Sequence, residues 1–333
     1  MILDLSKITF ETRDKHIFFA THEFIIYKDN FNIVMASCDG QEIASVPCPS
    51  DYRAFETADL GDAVLLILAG KNLVLFDKAG SSPIHYQIDP LKIGRVITKI
   101  FPTRDNNIII GTRKGSYIQI VHYEFMSQKR IAQSTSWKAS SVSDFIVDNG
   151  LVYALLDSSF LTACDAETCE VKWNRFESSL ILPKLVPYKN GILYACQGAL
   201  RSYDKDKGVE TVNIPISSIS GLVTMLNDEN IVFISDQTNI GTFSLKENKL
   251  LWEVVGSQKI LDGIVVKGKS GKEEFDILAI RIADYLSLIN LTIGKPSYYG
   301  ACKNIYKLHN SNDHIIINRK NNVTDLLPGI ENV

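Results

Sequence analysis

Eight copies of one apolar pattern, spaced roughly 40 residues apart, predict an all-β chain folded as a single β-propeller over residues 1–333. The blades read as four-stranded antiparallel sheets, about eight of them, with seven as the alternative. Two further observations support this class. The connections between apolar runs are short and rich in turn residues, and no segment carries sustained helical periodicity with caps. Repetition at such a period marks one supersecondary unit stacked many times, and here the unit is all strand.

The stretch from Ser141 to Trp173 shows the unit most plainly. Ser141 to Asp148 reads as an inner strand, Asn149-Gly150 as a turn and Leu151 to Leu156 as a second strand. Asp157-Ser158-Ser159 turns the chain again, Phe160 to Cys164 is a third strand, and Asp165 to Thr168 leads into an outer strand through Trp173. Tight turns of this kind pair successive strands antiparallel, as a meander. The same order recurs, with second strands starting near Phe24, Val64, Ile108, Leu151, Ile192, Ile231, Ile277 and Ile315. The last unit lacks an outer strand, and Lys7 to Thr12 is a spare strand-like stretch. The economical solution joins that N-terminal strand to the C-terminal blade, closing the ring and removing an exposed edge. In the seventh unit the insert KGKSGKEE, between inner and second strands, reads as a solvated, mobile loop.

Composition narrows the class of function. Hydrophobic residues make up 45% and charged residues 22%, which suits a large core. A net charge of −3 provides no global basic field for nucleic acid. No apolar stretch approaches the ~20 residues that span a bilayer. The amino terminus, MILDLSKITFETRDK, has no basic segment followed by an apolar one, so a cytoplasmic protein without membrane attachment is expected. The six cysteines (38, 48, 164, 169, 196 and 302) lie mostly in apolar strand contexts and read as buried, reduced thiols. Their spacing offers no zinc site. The six histidines are scattered, and His22 and His314 are the one pair at equivalent positions in blades that should adjoin.

Cys164-Asp165-Ala166-Glu167-Thr168, followed by an apolar pair and Trp173, resembles the repeat of pyrroloquinoline-quinone-type propellers. There an apolar strand ends in Leu-Asp-Ala, a Thr-Gly turn follows, and the outer strand carries a tryptophan. Here Cys169 replaces the glycine, while Asp204 to Gly208 repeats the turn and Lys249 to Trp252 repeats the tryptophan end. The resemblance implies fold more than activity. Asp165 and Asp204 stand where a carboxylate accepts backbone N–H bonds across a tight turn. Trp173 and Trp252 are expected to dock against neighbouring blades. A quinone enzyme of this type would need clustered oxygen ligands for calcium and usually adjacent cysteines. Neither is present in the sequence, nor is any nucleophile or phosphate-loop motif, so no catalysis, cofactor or metal is expected. Gly111 to Ser116 joins two strands and reads as a polar hairpin turn.

What is left is a surface. One propeller face consists of the turns between second and third strands and the connections between blades, and function concentrates on such loops. Candidate partner-binding residues there are Lys28, Tyr52, Arg113, Lys114, Trp137, Asp157, Phe176, Asp236, Tyr285, Arg319 and Lys320. The mixture of aromatics and arginine is typical of protein interfaces. Arg113, Lys114, Arg319, Lys320 and Lys28 would form a positive arc, with Asp157 and Asp236 on the other side of the ring. The expected function is a non-catalytic protein–protein interaction scaffold, monomeric when unbound, in sharper form a bacterial inhibitor or immunity protein. The alternatives are a propeller factor resembling those of outer-membrane assembly, or a metal- or quinone-dependent propeller enzyme.

Overall fold

A run such as Leu151–Leu156 has no polar face, so a strand built from it needs cover on both sides. In the computed structural model all six of these residues are buried, as are all six of Gly191–Cys196. The outer strands behave differently. Glu42–Pro47 buries only Ala44 and Val46, the alternation of a strand with one face in water.

The structure describes most of residues 16–331, leaving out chiefly 49–54, 69–71, 88–95, 177–183, 302–304 and 320–323. The described strands form eight sheets. Sheet I contains His16–Ala20, Phe24–Asp29, Asn32–Ser37 and Glu42–Pro47; sheet II contains Phe55–Asp59, Ala63–Leu68, Asn72–Asp77 and Ile84–Gln87. Sheet III contains Val96–Pro102, Asn107–Lys114 and Tyr117–Glu124, with an outer strand split into Lys129–Gln133 and Trp137–Lys138. Sheet IV contains Val142–Asp148, Leu151–Leu156, Phe160–Asp165 and Val171–Phe176; sheet V contains Leu185–Tyr188, Gly191–Cys196, Ala199–Asp204 and Glu210–Pro215. Sheet VI contains Ile219–Met225, Asn230–Ser235, Asn239–Ser244 and Lys249–Val254; sheet VII contains Ile260–Ser270, Glu273–Ile282, Tyr285–Asn290 and Lys295–Ala301. Sheet VIII contains Ile305–Ser311, His314–Arg319 and Thr324–Leu327.

Each sheet is an antiparallel meander, and seven of the eight second strands begin within one residue of the predicted start. The exception corrects an expectation. KGKSGKEE is no loose loop: Gly268, Lys269 and Ser270 pair with Phe275, Glu274 and Glu273, so the hairpin extends outward and its second strand starts at Glu273. Ile330–Glu331 then pairs in parallel with Gly268 and Lys269. The proposed closing strand, Lys7 to Thr12, lies outside the described residues.

By internal contacts the chain divides into two compact units, one with residues 51–79 and 84–222, the other with the remainder. In the first, which holds sheets II–V, the inner strands Phe55–Asp59, Val96–Pro102, Val142–Asp148 and Leu185–Tyr188 lie in succession beside one another. In the second, His16–Ala20 of sheet I lies beside His314–Arg319 of sheet VIII, and Ile260–Ser270 of sheet VII beside Ile305–Ser311.

What joins one sheet to the next is resolved at Trp173. This residue is only 6% exposed, its Nε1–H donates to the Lys205 carbonyl at 2.8 Å, and its ring lies over Gly208. A Cβ on Gly208 would stand 2.5 Å from the indole, and Gly208 has a φ of +60°. That turn is braced by Asp204, whose carboxylate accepts the N–H groups of Asp206 and Lys207, each at 3.0 Å. Trp252 and Gly294 (φ +65°) repeat the arrangement.

Sheet IV has the same turn, with Asp165 accepting from Glu167 and Thr168, but Cys169 takes the left-handed position at φ +57°. The outer-strand residue of sheet III that matches Trp173 in register, just ahead of the bulge, is Ala132. Ala132 packs against the core that contains Cys169. Where the plate is small the turn residue is larger, and where the plate is an indole only glycine fits. That volume rule accounts for the departure from the family pattern at Cys169.

Cys48, Cys164, Cys169 and Cys196 are free thiols; Cys38 and Cys302 lie outside the described residues. Burial pushes the Cys164 thiol up to about 12 and the Cys169 thiol up to about 11. Cys164, Cys169 and Cys196 are therefore expected to resist a thiol reagent in the native protein and to react on unfolding, as read by mass spectrometry of labelled peptides. Trp173→Ala is expected to cost about 3–5 kcal/mol in urea unfolding. Gly208→Ala should also destabilise, through both the collision and the positive φ; an unchanged midpoint in either variant would contradict the packing described.

Candidate protein-binding rim

Within the unit of sheets II–V, the functional candidates gather where sheets III and IV meet. Gly111 to Ser116 joins two strands, but the turn is shorter than expected: Gly111–Lys114 still pair in the strand, only Gly115 (φ +57°) and Ser116 turn, and Tyr117 starts the return. Directly opposite residues share a face of an antiparallel sheet. Lys114 opposes Tyr117, and Tyr117 opposes Lys138 on the split outer strand, so a cation–aromatic–cation row crosses the edge. All three side chains are exposed.

Arg113, Ile118 and Trp137 form the neighbouring row, on the other face. The side chain of Trp137, a candidate partner contact, is half-buried and packs against the core of sheets III and IV that contains Ile118, Phe145 and Leu156. Arg113 is exposed, and its Nη1 donates to the Ser140 carbonyl at 3.1 Å.

Asp157 has a local task. It sits at φ +48° in the turn after Leu151–Leu156, and its carboxylate clasps the connection from sheet III. Oδ1 accepts from Ser140 N at 3.0 Å, Ser140 Oγ at 2.7 Å, Ser141 N at 2.8 Å and Ser141 Oγ at 3.0 Å. Partial burial raises the affinity of this carboxyl for its proton, but the four bonds together outweigh it and hold it below the ordinary 3.8. Nearby, Phe176 is 84% exposed at the end of the outer strand, held edge-on by Phe160 at 4.9 Å between ring centroids.

The charge at this rim is positive. Arg113, Lys114 and Lys138 gather at the hairpin end of sheet III, whereas Lys129 and Arg130 lie opposite Glu124 and Tyr123 at its other end, in a chain of net charge −3. Tyr117 and Lys138 were missed in the sequence. The first was legible as the residue across a two-residue turn from Lys114; the second depends on the break in the outer strand, which the repeat pattern does not encode.

The other unit holds the remaining candidates. Lys28 is half-buried near the end of its strand, and the turn that follows presents Phe31 at 87% exposure. Asp236 occupies the turn equivalent to that of Asp157, at φ +49°, and is exposed. There the next connection is tied differently, by Gln237 O accepting from Ile260 N at 2.8 Å and Asn239 Oδ1 from Gly256 N at 3.2 Å. Tyr285 is half-buried opposite Ile282 and Ala301, and Arg319 ends its strand opposite Ile305. Tyr52, Lys320 and His22 lie outside the described residues. Among the described residues no group of three or more His, Cys, Asp or Glu side chains is arranged to hold a metal ion.

The sequence matches no family model and no curated protein. Solved structures are more informative. BamB from Moraxella catarrhalis is similar with a TM-score of 0.64 at 13% identity, over 94% of this chain and 93% of that one. Sqt1 from Saccharomyces cerevisiae is similar with a TM-score of 0.66 at 9% identity, over 95% of this chain and 96% of that one. The fold is a β-propeller. A computationally designed protein, Ika8, is similar with a TM-score of 0.66 at 13% identity, over 95% and 96% of the two chains. The likeness extends to a propeller of pyrroloquinoline-quinone-like repeats (BamB) and to one of WD40 repeats (Sqt1), so it speaks for the propeller in general.

The clasp at Asp157 carries a pH dependence. A carboxyl whose folded-state value is lowered stabilises the protein above its unfolded value and loses that contribution as pH falls through the folded one. Stabilisation by Asp157 is thus complete above pH 3.8 and lost below it. Asp157→Asn is expected to lower the thermal midpoint at pH 7 and to narrow its gap from wild type as the pH drops below 3.8. A constant gap from pH 7 to pH 3 would contradict the assignment.

Proposed function

We propose that the chain is a non-catalytic protein-interaction scaffold that engages a partner protein through the loop end of sheets III and IV. The observation that carries this reading is the separation of roles at the rim. Asp157 is occupied internally by Ser140 and Ser141, while Lys114, Tyr117, Lys138 and Phe176 face solvent. Exposed aromatics and arginine, here Tyr117, Phe176 and Arg113, are what protein interfaces enrich. The Cys164 and Cys169 thiols are buried and held protonated, so neither is available as a nucleophile.

In this reading the propeller is one domain of eight blades, with Lys7 to Thr12 supplying the outer strand of sheet VIII. The adjacency of His16–Ala20 and His314–Arg319 supports such a closure. Two buried thiols side by side in one core, unbridged, suit a reducing compartment, and a cytoplasmic bacterial inhibitor or immunity protein, monomeric until bound, is the sharper form of the proposal.

Two experiments test it. Affinity capture of the tagged protein from its host should retain one stoichiometric protein, and Lys114→Glu with Lys138→Glu should reduce that recovery at least about tenfold. Recovery unchanged by the double reversal, or retention of nucleic acid alone, would overturn the reading. Deletion of residues 1–12 should convert one cooperative unfolding transition into a broad one; a transition as sharp as that of the full chain would refute the closure.

A further inference from the structure

The unit of sheets I and VI–VIII contains a cavity of about 310 Å³ between sheets VI and VII. Its lining includes Ile240, Val254, Ile280, Ile282 and Ile289, with Thr238, Ser257 and Gln258 among its polar residues. No lining residue carries a charge. The volume stands near the lower limit of roughly 300 Å³ for ligand pockets.

The same layer between sheets III and IV holds the side chain of Trp137, and strand register relates the two. Ile240 opposes Val254 as Ile118 opposes Trp137. Ile282 precedes the turn before Tyr285 as Leu156 precedes the one before Phe160, and Ile280 then matches Ala154. Ile289 falls just after the outer-strand bulge, as Cys164 does. Residue for residue, the cavity lining corresponds to the core of Ile118, Ala154, Leu156 and Cys164, against which Trp137 packs. Between sheets VI and VII the indole is replaced by Val254. Ile280 for Ala154 and Ile289 for Cys164 add back about the side-chain volume that the indole's absence removes, yet 310 Å³ stays open beside Val254.

The connection beside the cavity is also tied in place. Gly256 is tied to Asn239 Oδ1, and a Cβ there would collide with the Thr238 carbonyl oxygen. Ile260 N is tied to Gln237 O. The connection over the cavity is therefore fixed on both sides of its mouth, where Ser257 and Gln258 are exposed and Val255 is 75% exposed.

We propose that this cavity receives an aromatic side chain of the partner protein, tryptophan fitting best, in the place that Trp137 fills in the equivalent layer. The proposal rests on the scaffold reading and adds the chemistry of one contact. Uncharged aliphatic walls select an apolar ring, and Gln258 and Ser257 at the mouth supply acceptors for an indole N–H. The feature that argues for an aromatic occupant is the chain's own solution to the same geometry.

The test uses the full chain with N-acetyl-tryptophanamide as probe, observed by saturation-transfer NMR so that the protein's own tryptophans do not interfere. N-acetyl-tryptophanamide is expected to show transfer, N-acetyl-leucinamide several-fold less, and Val254→Trp should abolish both while raising the thermal midpoint. Ile282→Phe, a smaller filling, should weaken the probe if Val254→Trp fails to fold. Absence of transfer in the wild type, or transfer unchanged in a folded filled variant, would overturn the proposal. Probe binding lost in Val254→Trp with partner recovery unaltered would assign the pocket to a free small molecule and overturn the partner-residue assignment. In that case the scaffold reading still stands or falls on the Lys114 and Lys138 reversals.

Discussion

Packing of one sheet against the next is the constraint on which the rest depends. The middle strands are apolar on both faces, so an isolated sheet would leave rows such as Val152, Ala154 and Leu156 in water. Within each unit a sheet is completed by its neighbours, and the sequence must match volumes across such a junction. The indole of Trp173 over Gly208, and Ala132 beside the core of Cys169, are two solutions to one packing equation. Interiors packed to crystal density leave little tolerance for a mismatch. A glycine at position 208 is required by its neighbour's ring as well as by its own backbone.

The same rigidity decides what the loop end can present. Short turns bound by their own side chains hold the connections in place, as Asp157 does for Ser140 and Ser141 and Asn239 for Gly256. Such clasps consume acidic and amide groups while lysines and aromatics stay outward. A local charge opposite to that of the whole chain follows from this division, since Arg113, Lys114 and Lys138 stay exposed at the loop end while Asp157 is engaged. It needs no cluster of unusual residues, only that the acids be structurally engaged.

Much of the architecture was legible because its signals are local. Strand starts follow apolar runs, and the turns follow Asn149-Gly150 or Asp157-Ser158 pairs that accept positive φ. The docking of Trp173 was legible too, through a motif. The rim was less so. Whether Trp137 faces a partner or the core depends on register across a split outer strand, and composition carries no trace of that. KGKSGKEE reads as a loop on charge and glycine content, yet cross-strand pairing extends it as a hairpin. The cavity beside Val254 was invisible in sequence, since it emerges only from comparing two junctions whose matched positions share little beyond Ile240 and Ile118.

The most direct measurement is site-specific photo-crosslinking in the native host. A photoreactive residue at position 117 probes the proposed rim, and one at Asn149 probes the turn at the opposite end of the sheets. Crosslinking of one defined protein from position 117, with none from position 149, is the predicted result. Crosslinks from position 149 alone, or none from position 117, would contradict the account.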